Sequence, residues 1–264
     1  MRNLYNTIFI VSLILFFATG CSSDDNDSNP TEPSNNNKAG APSSLNGQPA
    51  PSGIASENFN GVMATVNYEY ETIPGFPAVS LTLGFASLAD GTDAGAVRVN
   101  NNSLSKQSES GSTFYTSVSQ TNPTATLSGV NFDGSAHSWS VAGGNGIPAL
   151  SGSVNSPTQF SLTSPANNAS VSKSSGFDVT WSAGGTAGTE VLIVVIDLSS
   201  AESAFSVDGL EDDGNYTVSS SSLDGISGEA MLQVVKYTYN GINSGGKDYY
   251  VISEIVKSVT INVN

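Results

Sequence analysis

Only a few residues in this chain have the chemistry to react, to bind a metal or to stack on a ligand. Cys21 is the one cysteine and His137 the one histidine. A lone thiol cannot form an internal disulfide, and a lone imidazole cannot build a histidine metal cluster. The sequence contains no GxSxG elbow, HExxH helix or phosphate-cradling glycine loop. Common hydrolase, metalloprotease and nucleotide-binding chemistries are therefore not indicated.

The strand that carries His137 and the strand that carries Glu69 and Glu71 offer the remaining acid–base candidates. His137 lies two residues from Trp139 in an alternating segment, so both side chains share a face and the histidine is expected to be packed or to lie at the rim of the sheet. Glu69 and Glu71 lie about 7 Å apart on one strand face. That distance suits the paired carboxylates of a glycoside hydrolase. A solvated polar face is the favoured interpretation, because nothing nearby in the sequence would separate the two pKa values.

An acidic loop and several tyrosines are the remaining binding candidates. The loop DGLEDDGN, residues 208–215, has four carboxylates that could hold Ca²⁺, but Leu210 occupies the third ligand position of an EF-hand and no glutamate follows at the twelfth. A charged turn is the favoured interpretation, and neither a metal nor a cofactor is predicted. Tyr237 and Tyr239 share a strand face and could stack on sugar rings or anchor a protein partner if exposed. Packing within the sheet is the alternative.

The segment before Cys21 has the order of a secretory signal. Arg2 is followed by an apolar run at residues 8–17 and by the small residues Ala18, Thr19 and Gly20. The run is too short to cross a bilayer as a helix. A cysteine directly after such a site resembles the lipobox of bacterial lipoproteins, with Ala18 in place of the usual leucine. The resemblance implies cleavage after residue 20 and acylation of Cys21, and several acyl chains hold a protein stably at a membrane.

The residues after Cys21 indicate a tether. The run SSDDND resembles the export signal that sends Bacteroidota lipoproteins to the outer face of the outer membrane, so surface display is expected. Residues 21–57 are rich in Ser, Asn, Pro and Gly, and they cannot bury enough apolar surface to fold. The whole chain has 8 Lys+Arg against 23 Asp+Glu, a formal charge of −15. Such an acidic surface repels phosphate backbones, so nucleic-acid binding is not expected.

From residue 58 onward, short alternating segments separated by Gly, Asn, Asp and Pro predict an all-β fold. Examples are VMATVNYEY, ATLSGVNF, HSWSVAG and GFDVTWS, in which Trp181 is expected to point inward. The run in TEVLIVVIDL is apolar on both faces, as in a central strand, and SSSSLDGISGEA could form one short turn of helix. The segment GIPALSGSVNSP contains three breakers, which places a domain junction near Pro157. The prediction is two β-sandwiches in series, residues 58–156 and 157–264, after the signal (1–20) and the tether (21–57).

The second of these units carries a family resemblance. The stretches LTSPANNASVSKSSGFDVTWSAG and DGNYTVSSSSLDGISGEAMLQVVKY resemble the immunoglobulin-like or fibronectin-III-like modules of bacterial surface lipoproteins. In the first unit, AGAVRVNNNSL and HSWSVAGGNGIPALSGSV resemble the domain that often precedes such a module. The resemblance implies display or recognition only by analogy of fold.

Together these observations favour an outer-membrane, lipid-anchored and cell-surface-exposed protein that acts as a non-enzymatic binding or structural module. Its partners would be the membrane, through the lipid on Cys21, and a glycan or surface protein. One alternative is a glycan-binding accessory lipoprotein of a polysaccharide-uptake system, with Tyr237 and Tyr239 at the glycan. The other is a glycoside hydrolase that uses Glu69 and Glu71.

Overall fold

The computed structural model describes residues 59–70, 79–109, 111–118, 126–199 and 202–264. These residues form sixteen β-strands and two 3-10 turns, Ala89–Gly91 and Ser221–Leu223, and no α-helix occurs among them. The predicted all-β class is confirmed. Within the same residues, no helix is long and apolar enough to cross a membrane. The signal, Cys21 and the tether lie outside the described residues.

The strands follow one another in this order: β1 (Phe59–Tyr70), β2 (Val79–Leu88), β3 (Val97–Val99), β4 (Asn102–Ser103), β5 (Ser105–Glu109), β6 (Ser112–Thr116), β7 (Ala136–Val141), β8 (Leu150–Asn155), β9 (Leu162–Ser164), β10 (Ala169–Val171), β11 (Phe177–Trp181), β12 (Glu190–Asp197), β13 (Glu202–Glu211), β14 (Asn215–Val218), β15 (Gly228–Ser244) and β16 (Lys247–Val263).

These strands form one large sheet and two small ones. The large sheet has nine strands in the order β13-β12-β15-β16-β1-β2-β6-β5, with β10 paired beside the end of β16. Its centre is the hairpin of β15 and β16, two strands of 17 residues each. The small sheets are β14-β11-β9 and β4-β3-β7-β8. Alternating apolar residues explain the strands, as in β7, where His137, Trp139 and Val141 are buried and the residues between them are exposed.

Pairing between β1 and β16 joins the two halves of the chain. The strands run parallel and stay in register from Gly61 opposite Tyr249 to Glu69 opposite Lys257. On its other side β1 pairs antiparallel with β2, so it is a central strand. Parallel neighbours need a long connection, and here almost the whole fold lies between them.

The large sheet has an inner face, which packs on both small sheets, and an opposite outer face. The inner face contributes Met63, Val251 and Ile255 to the main hydrophobic core, which also takes Trp139 from the four-stranded sheet and Trp181 from the three-stranded sheet. Strand β8 approaches β15 so closely that a Cβ on Gly152 would collide with the Ile242 side chain. The core is therefore built from strands on both sides of residue 157.

The predicted boundary near Pro157 lies inside this shared structure. We expected two sandwiches with separate sheets, but strands from both predicted units join in the large sheet. The breaker-rich segment chosen as the junction contains β8, which pairs with β7 from Ala136 opposite Asn155 to Val141 opposite Leu150. Of the residues that suggested a linker, Ser151 and Ser153 lie on the exposed face of β8. Gly152 packs against Ile242, and Ser156 is fully buried.

Local differences from the prediction are few. The segment ATLSGVNF was expected to be a strand, but its described residues 126–132 form a turn region that is held to β2 by a hydrogen bond from the Leu127 amide to the Thr82 carbonyl. Strands β4, β5 and β10 were not predicted. Strands β4 and β10 have only two and three residues, and β5 is entirely polar. The expected helical turn in SSSSLDG is present as the 3-10 turn Ser221–Leu223.

Candidate functional site

His137 is buried where the four-stranded sheet meets the large sheet, and its side chain is fully inaccessible. Its Nε2 is 2.9 Å from the Asn131 carbonyl oxygen and therefore donates to it. Its Nδ1 then accepts from the hydroxyls of Thr65, at 2.7 Å, and Ser253, at 3.1 Å. Burial lowers the pKa of His137, so the ring is neutral near neutral pH. The histidine is packed, as expected, and it holds β7 against β1 and β16.

Glu69 forms an ion pair with Lys257, its neighbour in the parallel register between β1 and β16. Glu71, the other member of the suggested carboxylate pair, lies outside the described residues. The Lys257 ammonium also lies 6.0 Å from the Phe160 ring centre, on the inner face. Glu69 is therefore engaged in an ion pair that links β1 to β16.

The carboxylates of the acidic loop, residues 208–215, do not all point the same way. Asp212 faces inward and accepts from the Trp181 indole N–H at 2.8 Å, the Gly184 amide at 3.0 Å and the Lys236 ammonium at 2.7 Å. Lys236 is 1% exposed and Asp212 is 8% exposed, so this is a buried ion pair. Asp213 accepts from the Asn215 amide. Within the described residues, no three His, Cys, Asp or Glu side chains are grouped as metal ligands would be.

Asp208 points to the outer face of the large sheet, where it meets Tyr237. The Tyr237 hydroxyl lies 2.6 Å from Asp208 Oδ1 and 2.8 Å from Glu190 Oε2, so one phenol proton serves two carboxyl groups. Burial, and then the negative charge of Asp208, raise the pKa of Tyr237 far above its usual value. Because Tyr237 is fully buried, it does not provide the exposed ring that stacking on a sugar requires. In the structure, the Tyr237 ring packs within the sheet, which was the alternative to stacking on a ligand.

The other tyrosines of this region differ in how exposed their side chains are. Tyr239 is partly exposed, and its ring centre lies 6.4 Å from that of Tyr237 with a tilt of 33°. Tyr249 and Tyr250 lie on opposite faces of β16, and both are buried. The Tyr249 hydroxyl accepts from the Asn60 side chain at 2.7 Å on the inner face. Tyr237 and Tyr239 are thus neighbours, but they do not form a flat exposed platform.

Sequence reasoning missed Glu254, a carboxyl group buried on the outer face. It lies opposite Tyr237 on the neighbouring strand and is 4% exposed. Burial, reinforced by the nearby charge of Asp208, raises its pKa to about 8. Glu190, Asp208 and Glu254 together with Tyr237 form what we call the acidic row, which crosses four adjacent strands of the outer face. In the sequence, Glu254 continues the alternation of Tyr250 and Ile252, which places it on the same face of β16 as those two residues. No other feature of the sequence indicated that it is buried.

The comparisons with known proteins give no family. No family model matches the chain, and no curated protein matches it. Among solved structures, the fibronectin(III)-like modules of Clostridium thermocellum CbhA align over 80% of this chain and 92% of theirs, at 13% identity and a TM-score of 0.25. A chimeric titin Z1Z2 tandem aligns over 69% of this chain and 89% of its own, at 9% identity and a TM-score of 0.22.

A third solved structure, the BSP domain of a biofilm-associated protein, aligns over 69% of this chain but only 27% of its own, at 13% identity and a TM-score of 0.20. TM-scores this low do not establish a shared fold. The all-β class rests on the strands themselves, and the immunoglobulin-like resemblance remains a resemblance of sequence segments.

Proposed function

We propose that this protein is a lipid-anchored envelope protein, displayed on the outer membrane, that acts as a non-enzymatic binding or structural module. One observation carries the proposal: an apolar run of signal length and three small residues directly precede the only cysteine of the chain. Acylation of that thiol would fix the chain to a membrane, and residues 22–57 would hold the β-structure away from it.

The roles of the titratable side chains support a module without catalysis. His137 is held by three hydrogen-bond partners in the core. Glu69 and Asp212 are each ion-paired with a lysine. His137 joins the four-stranded sheet to the large sheet, Asp212 joins the loop before β14 to β15, and Glu69 joins β1 to β16 within the large sheet. Glycan capture by Tyr237 and Tyr239 has weaker support, because Tyr237 is fully buried.

Metabolic labelling with palmitate tests the anchor. The wild-type protein should incorporate the label and sediment with membranes, whereas Cys21→Ser should do neither, because serine has no thiol to acylate. A serine replacement elsewhere in the same segment, Thr19→Ser, is the matched control and should retain the label. An unlabelled wild-type protein, or a Cys21→Ser variant that stays on the membrane, would refute the proposal.

Display on the cell surface is tested separately with intact cells. A protease added from outside should remove the β-structure of the wild-type protein and leave a periplasmic marker protein intact. If the protein is degraded only after the outer membrane is opened, the lipid faces the periplasm and the surface part of the proposal fails.

A further inference from the structure

Strand β15 has an unpaired edge over its second half. Strand β12 pairs with β15 only from Ala230 to Tyr237, whereas β16 pairs with it as far as Ser244. Within the described residues, no strand lies beside β15 on the β12 side beyond Tyr237. We call residues 238–244 the open edge. At about 3.4 Å per residue it is roughly 24 Å long.

The hairpin turn shows which backbone groups face this opening. Both glycines of residues 245–246 have positive φ, as in a two-residue hairpin turn, so Ser244 exchanges hydrogen bonds with Lys247 on β16. Along a strand, successive residues direct their N–H and C=O groups to opposite neighbours. The even-numbered residues of the open edge therefore bond to β16. Gly241 and Asn243, which are both exposed, direct their N–H and C=O groups into the opening.

The far end of β15 gives the same assignment. There the Glu229 carbonyl accepts from the Leu198 amide, which continues the line of β12, so the odd-numbered residues of β15 face β12. The register between β15 and β16 is unbroken up to the turn, and the alternation is kept along it. In the part of the chain that the structure describes, no backbone hydrogen bond enters the opening at Gly241 or Asn243. Such a row of main-chain donors and acceptors is a template for another strand.

The open edge lacks the features that protect the outer edges of the large sheet. At one outer edge, β13 has two irregularities in its register with β12. At the other, β5 carries a lysine and a glutamate in the sequence SKQSE. Bulges and charges on edge strands discourage pairing with other chains. The open edge, TYNGINS, has no charge, no proline and no bulge, so nothing in it opposes an added strand.

Neighbouring strands hold the open edge in a fixed position. On one side, β16 is itself paired with β1 along this half of the hairpin. On the inner face, the Asn240 side chain donates to the Ser153 carbonyl of β8 at 3.1 Å, and the Ile242 side chain packs against Gly152. A template that is already ordered lowers the entropy cost of binding.

The side chains around the opening indicate what kind of strand fits. Gly241 lies opposite Tyr250, and a Cβ on Gly241 would lie 3.6 Å from the Tyr250 ring. A residue beside Gly241 therefore reaches that ring with no side chain between them, and an aromatic residue suits this position. At the β12 end of the opening, Glu211 is exposed and lies opposite Glu190. A basic residue suits that end.

A second copy of the chain fits this opening less well than a basic segment. It would bring its own Glu211, and also Asp248, which lies opposite Asn243 beside the open edge. Each copy has a formal charge of −15. Two such acidic chains repel each other on close approach, whereas a basic segment is attracted.

We propose that the open edge binds an extended, basic segment of a partner protein, which joins the large sheet as a strand antiparallel to β15 and in line with β12. The segment bonds to the N–H and C=O groups of Gly241 and Asn243, and its C-terminal end brings a basic residue near Glu211. The proposal names a partner for the binding module proposed above and rests on that role. It does not depend on the anchor, so the palmitate test and the binding test fail independently.

Hydrogen exchange tests whether the edge is open in the free protein. The Asn240 and Ile242 amides, which bond to β16, should be protected, and the Gly241 and Asn243 amides should exchange at least a hundredfold faster. Protection of Gly241 and Asn243 at every protein concentration would mean that the chain itself occupies the edge, and the proposal would be wrong. Protection that increases with protein concentration would also overturn it, and would assign the edge to a second copy.

Binding is measured with a fluorescent peptide, TVTFTVKK, whose C-terminus is amidated. It should bind the wild-type protein and slow exchange of the Gly241 and Asn243 amides at least tenfold. The same peptide with two threonines replaced by proline keeps its charge but cannot form a regular ladder, so it should bind at least tenfold more weakly. Equal binding of the two peptides would show attraction by charge alone. That result, or no binding of TVTFTVKK, contradicts the proposal.

Variants of the protein locate the binding. Asn243→Pro removes an N–H group from the open edge but none from the ladder with β16, so affinity for TVTFTVKK should fall at least tenfold. Asn243→Thr keeps the N–H group and should bind like wild type. Glu211→Gln, which changes no backbone group, should also weaken binding, and Asp224→Asn, at an exposed acid elsewhere, should not. Wild-type affinity in both Asn243→Pro and Glu211→Gln would place the peptide elsewhere and refute the assignment.

Discussion

At the scale of single residues, burial keeps two titratable side chains neutral, one on each face of the large sheet. His137 on the inner face has a lowered pKa because an imidazolium ion would lose its hydration there. Glu254 on the outer face has a pKa raised to about 8 for the same reason. The two groups have opposite effects on the pH dependence of stability. The imidazole favours folding as the pH rises, and the carboxyl group opposes it.

The His137→Gln variant isolates the histidine contribution. Because the pKa of His137 is lower in the folded state than the ordinary 6.5, the unfolded chain binds the extra proton first as the pH falls below that value. The stability contribution is therefore complete above pH 6.5 and is lost on acidification. Between pH 7 and pH 5, the free energy of unfolding in urea should fall more for wild type than for His137→Gln. Glu254 titrates in both proteins, so its effect cancels in the comparison. Equal slopes would contradict the assignment.

At the scale of the elements, the sequence predicted the strands well where apolar and polar residues alternate. Parts of β1, β7 and β11 follow from that alternation, as do the inward-facing Trp181 and the packed His137, whereas β12 follows from a run that is apolar on both faces. The prediction failed for short polar strands such as β5, whose sequence SKQSE has no apolar face. It also failed for β8, where serine and glycine resemble a linker although Leu150 and Val154 are buried. The alternation of apolar and polar residues indicates which side chains face a core. It is less informative for a strand at the edge of a sheet.

The partners of the charged residues were harder to predict from the sequence than the strands were. The acidic loop was expected to be a solvated turn or a calcium loop, and its Asp212 is instead the buried partner of Lys236, 24 positions away. The sequence reports each charge but not the partner, because the partner is brought close by sheet pairing. Glu254 was overlooked for the same reason.

The buried pair of Lys236 and Asp212 ties the loop before β14 to the centre of β15. Lys236→Met should lower the free energy of unfolding by about 3–5 kcal/mol, because Asp212 would be left buried with a charge and only neutral donors. Adding Asp212→Asn should recover part of the loss by removing that charge. Lys247→Met, at an exposed lysine at the start of β16, is the control and should change stability by less than about 0.5 kcal/mol. A loss in Lys236→Met as small as in the control would mean that the pair is not held in a desolvated site.

At the scale of the whole molecule, the order of strands within the sheets shows how the two predicted units are connected. The local sequence pattern did not indicate that connection. Two units in series were inferred because the strands come in two runs with breakers between them. The order of strands along the chain does not specify which of them become neighbours, and here the first strand pairs with the last. The hydrogen bonds of His137 to Thr65 and Ser253 add a contact between β7 and both of those strands. The ends of the described chain are therefore held together by one sheet and one core.

Cutting the chain at the predicted boundary tests whether this shared sheet controls folding. In the fragment of residues 58–156, β1 loses β16 and keeps only β2 as a partner. The fragment of residues 157–264 leaves β16 with one unpaired edge and an uncovered inner face. Neither fragment alone should unfold cooperatively or protect its amides from hydrogen exchange, because each exposes a large part of the common core. Produced together, the two should assemble and regain a single transition like that of the intact chain. Two fragments that each fold and melt independently would show that residues 58–156 and 157–264 are separate domains, and that the parallel pairing of β1 with β16 contributes little to stability.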